Sequence, residues 1–439
     1  MSEKSGGDFR YSVGESKVPW HAVGEFFDGS DALELVKFLL PDNGEADYAV
    51  KLANAAKALS ELSDVAGRAT KLTLGKKVAD AEALACEYFG SKYACFISNW
   101  TGGMEIAYKL AGISAGDEVI MPAVTFIATM AYPLSVGAKI VFADIDPETI
   151  NLDPADLERK ITPKTKMIVP VHLGGFPVDM DGVMAVARKH GIMVMEDAAH
   201  GMGGAYKGKK LGSIGDFGGF SLHEVKNINS LGEGGVLLTS DDAFGSQLAG
   251  GRFLGLDFTR KIKDWLYDIS PLTARDGSIQ VAQNHSATEI QALGLIQQMK
   301  RYDRILAERR RESTYMTERL SGNPAIIPQD LGNADIDPTF HLYLLQIDPE
   351  KAGGDVQKLK QKLDAKGVTN IPHFGPLYRF AAVREMGQDP EAAAASCPVC
   401  EDVFDRRFTH LPIYGLSDEQ LKYMADAILE SVKEMQEGR

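Results

Sequence analysis

Cysteine is scarce: 4 in 439 residues. That is too few for a disulfide framework in so long a chain, and it predicts a reducing compartment. Cys397-Pro398-Val399-Cys400 forms a CxxC pair, but Cys86 and Cys95 lie far from it, so no second pair completes a zinc site. Positive charge is outnumbered, with 47 Lys and Arg against 61 Asp and Glu and a net charge of −14. A general nucleic-acid or anionic-membrane binder needs a basic face, which this balance disfavours; a local basic pocket for an anionic ligand stays open. No apolar run reaches bilayer-spanning length, and the polar start, Met1 to Gly7, shows no signal-peptide pattern. The sequence therefore predicts a cytoplasmic protein. Also missing are HExxH, any other metal cluster, and a GxGxxG opening a βαβ unit. Gly203 to Lys209 has P-loop spacing, but Lys210 stands where Ser or Thr is required, so the stretch reads as an exposed basic hairpin.

What is present is ordinary for a globular chain: 44% hydrophobic and 25% charged residues. The length predicts two domains, or one large domain with an appendage. Residues 1–70 read as an N-terminal extension with peripheral helices, broken at Asp42-Asn43-Gly44. Residues 71–320 carry short, unalternating apolar segments at 93–97, 118–121, 139–143, 167–171, 192–195, 219–222 and 236–239, mostly separated by helical stretches. That pattern predicts an α/β domain whose mainly parallel sheet of about seven strands is sandwiched by helices. Residues 250–286 read as a long irregular loop with Arg252, Lys261, Lys263 and Trp265, and 287–320 as one charged helix. Residues 321–439 read as a smaller α+β domain, with strands at 342–347 and 368–371 and helices at 355–366 and 417–434.

Function is concentrated where the strands end, because open α/β sheets bind ligands at the carboxyl ends of their strands. Lys226 sits between two strands in a polar, glycine-rich segment, Phe220 to Gly235. A lysine partly desolvated there can be a neutral amine and a nucleophile. Asp197, in Glu196-Asp197-Ala198-Ala199-His200, ends another strand 29 positions earlier. A lysine for a Schiff base and an acid for a pyridine nitrogen are what pyridoxal 5'-phosphate (PLP) requires. Thr101-Gly102-Gly103 lies at a strand-to-helix turn suited to phosphate. Ser221 offers another phosphate donor, Phe126 an aromatic face for a flat ring, and Asn284 a polar group at the end of the long loop.

The chain resembles the fold-type I PLP enzymes of the DegT/DnrJ/EryC/StrS group, the nucleotide-sugar aminotransferases. The likeness covers about residues 75–430. It rests on Gly116-Asp117-Glu118-Val119-Ile120-Met121-Pro122, Thr125-Phe126-Ile127-Ala128-Thr129, Pro170-Val171-His172-Leu173-Gly174-Gly175, Glu196 to His200, Phe220-Ser221, Lys226-Asn227, Gly232-Glu233-Gly234-Gly235, His373-Phe374 and His410 to Tyr414. The resemblance implies that Lys226 carries the cofactor, Asp197 binds its ring nitrogen and Phe126 stacks on the ring. It implies phosphate contacts from Thr101, Gly102 and Ser221, and His200 beside the ring hydroxyl. It further implies that Asn284 reaches the neighbouring subunit's cofactor in a homodimer. The expected reaction moves an amino group from an amino acid, L-glutamate or L-glutamine, to a keto sugar, nucleotide-linked. A cyclitol or other non-nucleotide ketone is the alternative acceptor, and a non-catalytic regulator of the same fold is a more distant one. A branch with histidine in place of the lysine performs dehydration, and Lys226 argues against it. Two departures stand out: Asn99-Trp100-Thr101 replaces the group's usual Ser-Gly-Thr, and Ser286 stands where an arginine often follows the asparagine. The indole is expected to narrow the pocket or meet a partner.

Overall fold

The computed structural model describes residues 25–69, 71–263, 266–370 and 374–438. Strands β1 (Tyr93–Ile97), β2 (Glu118–Pro122), β3 (Lys139–Ala143), β4 (Thr165–Ile168), β5 (Met193–Asp197), β6 (Phe217–Ser221) and β7 (Gly235–Thr239) form one seven-stranded sheet. Its order is β1-β7-β6-β5-β4-β2-β3. Neighbours from β6 to β3 pair parallel, while β7 lies antiparallel between β1 and β6. The expected mainly parallel sheet is thus the one that forms.

The absence of alternation in the strand sequences has a direct cause: both faces are covered. Along β2, Val119 and Met121 point into one core and Ile120 into the other; along β5, Met193 and Met195 oppose Val194 in the same way. The first core takes Met104 and Ala107 from helix α4 (Trp100–Ala111) and Met130 from α5 (Ala128–Ser135). The second takes Val78, Ala81 and Phe89 from α3 (Lys76–Phe89) and Val183 and Ala187 from α6 (Met180–His190). Before them, α1 (Gly29–Leu39) and α2 (Tyr48–Val65) bury no residue of their own and meet where Gly29 donates to Ser63 Oγ at 3.1 Å.

Four sequence expectations are corrected. The single helix over 287–320 is two, α7 (Glu289–Met299) and α8 (Tyr302–Leu320). The chain turns at Arg301 so that Tyr302 can bury its ring and donate to the Met202 carbonyl. The 250–286 stretch is not irregular: β8 (Leu256–Lys263) and β9 (Leu266–Ile269) pair as a hairpin, and Leu272–Thr273 pairs with Ile279–Gln280. Trp265 lies outside the described residues. The strand expected at 167–171 stops at Ile168, just before Pro170, which has no N–H for a ladder. Residues 368–370 form no strand, and Ile371 lies outside the described residues. The basic hairpin does form, with Ala205–Tyr206 against Lys209–Lys210 across Lys207 and Gly208, both at positive φ.

Toward the C-terminus, β10 (Ile326–Ile327), β11 (Tyr343–Ile347) and β12 (Phe408–Leu411) form an antiparallel sheet. Helices Val356–Ala365 and Asp418–Gln436 share its core. Helix α8 joins the halves, since Ile305 and Leu306 belong to the second core and Met316 and Leu320 to this one. The CxxC cysteines are both buried, and burial pushes the Cys400 thiol up to about 12.

Glu196, fully buried one residue before the end of β5, accepts from the amides of Gly212, Ile214 and Gly215 and lies 3.1 Å from His172 Nε2. It fixes the turn that feeds β6 into the sheet beside β5. Glu196→Ala should lower stability by about 3 kcal/mol, from several stranded buried donors, and Glu196→Gln by less; the denaturant midpoint of each variant checks this.

Candidate active site

The parallel strands β2, β4, β5 and β6 deliver their carboxyl ends to one side of the sheet; Asp197 and Ser221 end two of them, Phe126, His200 and Lys226 follow strand ends, and Thr101 follows β1. Asp197 ends β5 and is 3% exposed. Its Oδ1 accepts from Trp100 Nε1 at 2.9 Å and from the Ala199 amide at 3.2 Å, and its Oδ2 accepts from Thr129 Oγ1 at 2.8 Å. Lys226 lies half-buried in the turn after β6, its amide donating to His223 O at 2.9 Å. Burial pushes its amine down to about 8, against the pull of the Asp197 charge. Among the described residues the Lys226 amine takes no hydrogen bond.

The wall beside the lysine is aromatic. His200 stacks on His341 with ring centroids 4.3 Å apart, and Phe374 meets His200 edge-on at 5.1 Å. Asn227, next to Lys226, has its Oδ1 2.9 Å from His341 Nδ1. Burial, with the charges of His200 and Lys226, holds His341 well below the ordinary imidazole range, so it stays neutral. Arg309 ties this wall to the C-terminal segment, donating to the carbonyls of Phe340, His341 and Ile413 and lying over the Tyr414 ring at 4.4 Å. His373 lies outside the described residues.

The strand-to-helix turn also takes shape, with a correction. Asn99 caps α4 by accepting from the Gly102 amide at 2.9 Å, so that amide is already engaged. What stays uncommitted among the described residues is the Thr101 amide and hydroxyl, at a helix N-terminus whose dipole favours an anion. Gly102 matters for space instead: a Cβ there would overlap the His285 ring. His285 Nε2 lies 3.5 Å from Glu105 Oε2, and the neighbouring His285 and Lys109 hold the Glu105 carboxyl down at about 2 despite burial. Ser221 is half-buried at the end of β6, where its Oγ accepts from the His223 amide at 3.3 Å. Phe126 is 59% exposed and Asn284 is exposed, its Oδ1 accepting from the Ser286 amide at 3.0 Å.

Trp100 behaves differently from expectation. It neither crowds an open pocket nor faces a partner: it is 3% exposed, packed inside the first core. A Cβ at Gly219 or Gly103 would overlap its ring, so those glycines serve packing. Thr129 and His285 were not singled out as site residues from the sequence. Thr129 had a weak signal, a hydroxyl one helical turn after Thr125, and the two hydroxyls lie 3.1 Å apart.

These groups fit PLP: an unengaged amine, a buried carboxylate with acceptor capacity to spare, an exposed ring and a helix N-terminus. The family model for the DegT/DnrJ/EryC1/StrS aminotransferase family matches residues 53–429. The chain belongs to this family. As a member of it, the protein is a PLP-dependent aminotransferase. It is 33% identical over 378 residues to a spore coat polysaccharide biosynthesis protein of Bacillus subtilis, covering 82% of this chain and 91% of the relative. It is 34% identical over 335 residues to the GDP-perosamine synthase of Caulobacter vibrioides, covering 74% and 84%. A Streptococcus pneumoniae homologue, solved in PLP and PMP forms, superposes its PMP form with a TM-score of 0.72 at 26% identity, over 84% of this chain and 94% of that one.

The depressed lysine has a measurable consequence. A protonated amine cannot attack an aldehyde, so capture of PLP should switch on as pH rises through about 8, not through the ordinary 10.5. The pH dependence of the capture rate, followed by absorbance on adding PLP to cofactor-free protein, checks this.

Proposed function

We propose that this aminotransferase moves an amino group from an amino acid, L-glutamate or L-glutamine, to a nucleotide-linked keto sugar in aminosugar biosynthesis. The observation that carries the reading is the Lys226 amine, brought to about 8 by burial and facing the Asp197 charge. The relative that makes GDP-perosamine, 34% identical, supports a nucleotide-linked acceptor.

In this reading Lys226 anchors the cofactor and then works as base and acid: its Nζ takes the proton from the donor's α-carbon and returns it one step later. A pKa near the working pH suits both directions of that transfer. When bound, PLP supplies an electron sink for the charge the departing proton leaves behind. Asp197 holds the ring nitrogen, Phe126 covers one face of the ring, and His200 lies beside the ring hydroxyl. Thr101 and Ser221 hold the phosphate, with Gly102 keeping the turn close.

A homodimer completes the site. Phe126, Ile127, Val225, Leu231, Ile290 and Leu293 are all exposed. Leu231 packs directly on α7 at Gly294, which carries Ile290 and Leu293 on the same helix beside the Lys226 loop. An apolar surface of this kind beside a site is covered by a second copy, whose Asn284 contacts the phosphate.

Lys226→Ala removes both anchor and proton carrier, so turnover should drop by about four orders of magnitude or more, and the visible absorbance of the loaded enzyme should vanish. Retained turnover would defeat the assignment. Assay of the wild type against UDP-, GDP- and dTDP-ketosugars and an inosose separates a nucleotide-sugar acceptor from a cyclitol.

A further inference from the structure

Asp197 is saturated on one oxygen before any ligand arrives. A carboxylate offers about four acceptor positions, two per oxygen. Oδ1 has both filled, by the Trp100 indole and the Ala199 amide, and Oδ2 has one filled, by Thr129. One position is left, on Oδ2. The two side-chain donors are as buried as the acid: Trp100 is 3% and Thr129 0% exposed. Trp100 occupies the turn position where the family pattern has glycine, and the sheet makes room for it with Gly219, where any Cβ would overlap the ring.

We infer that Trp100 and Thr129 are positioning residues for the cofactor: they lock the Asp197 carboxylate in one orientation and leave a single acceptor, on Oδ2, for the protonated ring nitrogen. This rests on the reading above that Asp197 binds that nitrogen. The indole does what the usual glycine cannot, since it reaches from the start of α4 beneath β6 to the end of β5. Locking has an electrostatic side. Each fixed donor draws off part of the carboxylate's charge, and Asp197 is the group that pulls the Lys226 amine upward. With a donor removed, Asp197 presents more negative charge to its surroundings and favours protonated forms nearby.

The test uses the PLP-loaded protein and two variants, Trp100→Phe, which keeps an aromatic ring without the donor, and Thr129→Val, which keeps the shape without the hydroxyl. The expected result is weaker binding of PLP by about tenfold in each, the worth of one hydrogen bond to a charged group. The pH midpoint of the loaded protein's visible band should also move up by about 0.5 unit, a fraction of that energy. A purely structural role would lower the melting temperature and leave that midpoint in place, and an unmoved midpoint in both variants overturns the inference. Asp197→Asn separates the two levels. If it moves the band and PLP affinity while the other variants do not, the positioning role alone fails. If it moves neither, the assignment of Asp197 to the ring nitrogen fails with it.

Discussion

A carboxylate buried at the end of a parallel strand is costly unless donors surround it, and the site depends on how Asp197 meets that condition. Its donors come from three separate places: the start of α4, the start of α5 and the chain just past β5. Each is held by its own cause. Asn99 caps α4 and sets the direction in which Trp100 leaves. Thr129 sits in the first turn of α5, fully buried. Glu196, one residue before Asp197, gathers the amides of the turn that lays β6 beside β5. The carboxylate thus ties together the elements that frame the pocket.

Lys226 has the opposite requirement. An amine serves as a nucleophile only when it is short of partners and of water, and Lys226 meets this in a turn whose amine takes no bond among the described residues. Its neighbours support that state. His341 is buried and neutral, so it adds no charge against the lysine, and its Nδ1–H donates to Oδ1 of the adjacent Asn227 instead. Asp197 supplies the one attraction that keeps the amine from becoming a weaker base still. The site is a balance between a buried acid rich in hydrogen-bond donors and a base poor in partners.

The open side of the pocket is the least finished part of the single chain. Phe126 and Asn284 project into solvent, although the roles proposed for them require contact. Leu231 in the Lys226 loop and Ile290 and Leu293 on α7 are exposed as well. Leu231 also holds a positive φ of 60°, a conformation leucine rarely adopts without a constraint. Exposed apolar residues grouped in this way support the proposed homodimer.

Much was readable from sequence because it depends on local pattern. Apolar runs without alternation meant strands buried on both faces, and the seven-stranded sheet follows them closely. Lys226, Asp197 and the Thr101 turn stood out as candidates because glycine-rich turns and strand-end acids mark where a sheet binds ligands. Other features lay beyond the sequence because they are set by contacts between distant residues. Nothing near Trp100 in the chain shows that its indole bonds an acid 97 positions away, or that Gly219 is small to admit it. Of the glycines leading to Lys226, Gly218 makes room for the Gly212 backbone and Gly219 for the Trp100 ring. Gly102 reads as a phosphate donor, but its amide is spent on the helix cap. The break at Arg301 is dictated by where Tyr302 can be buried, which helical periodicity does not reveal. Sequence alone determined most of the elements that form and which residues are candidates for the chemistry, because periodicity, turns and residue type are local properties. Only the tertiary structure decided how each of those residues is held, because hydrogen bonds and packing join residues far apart along the chain.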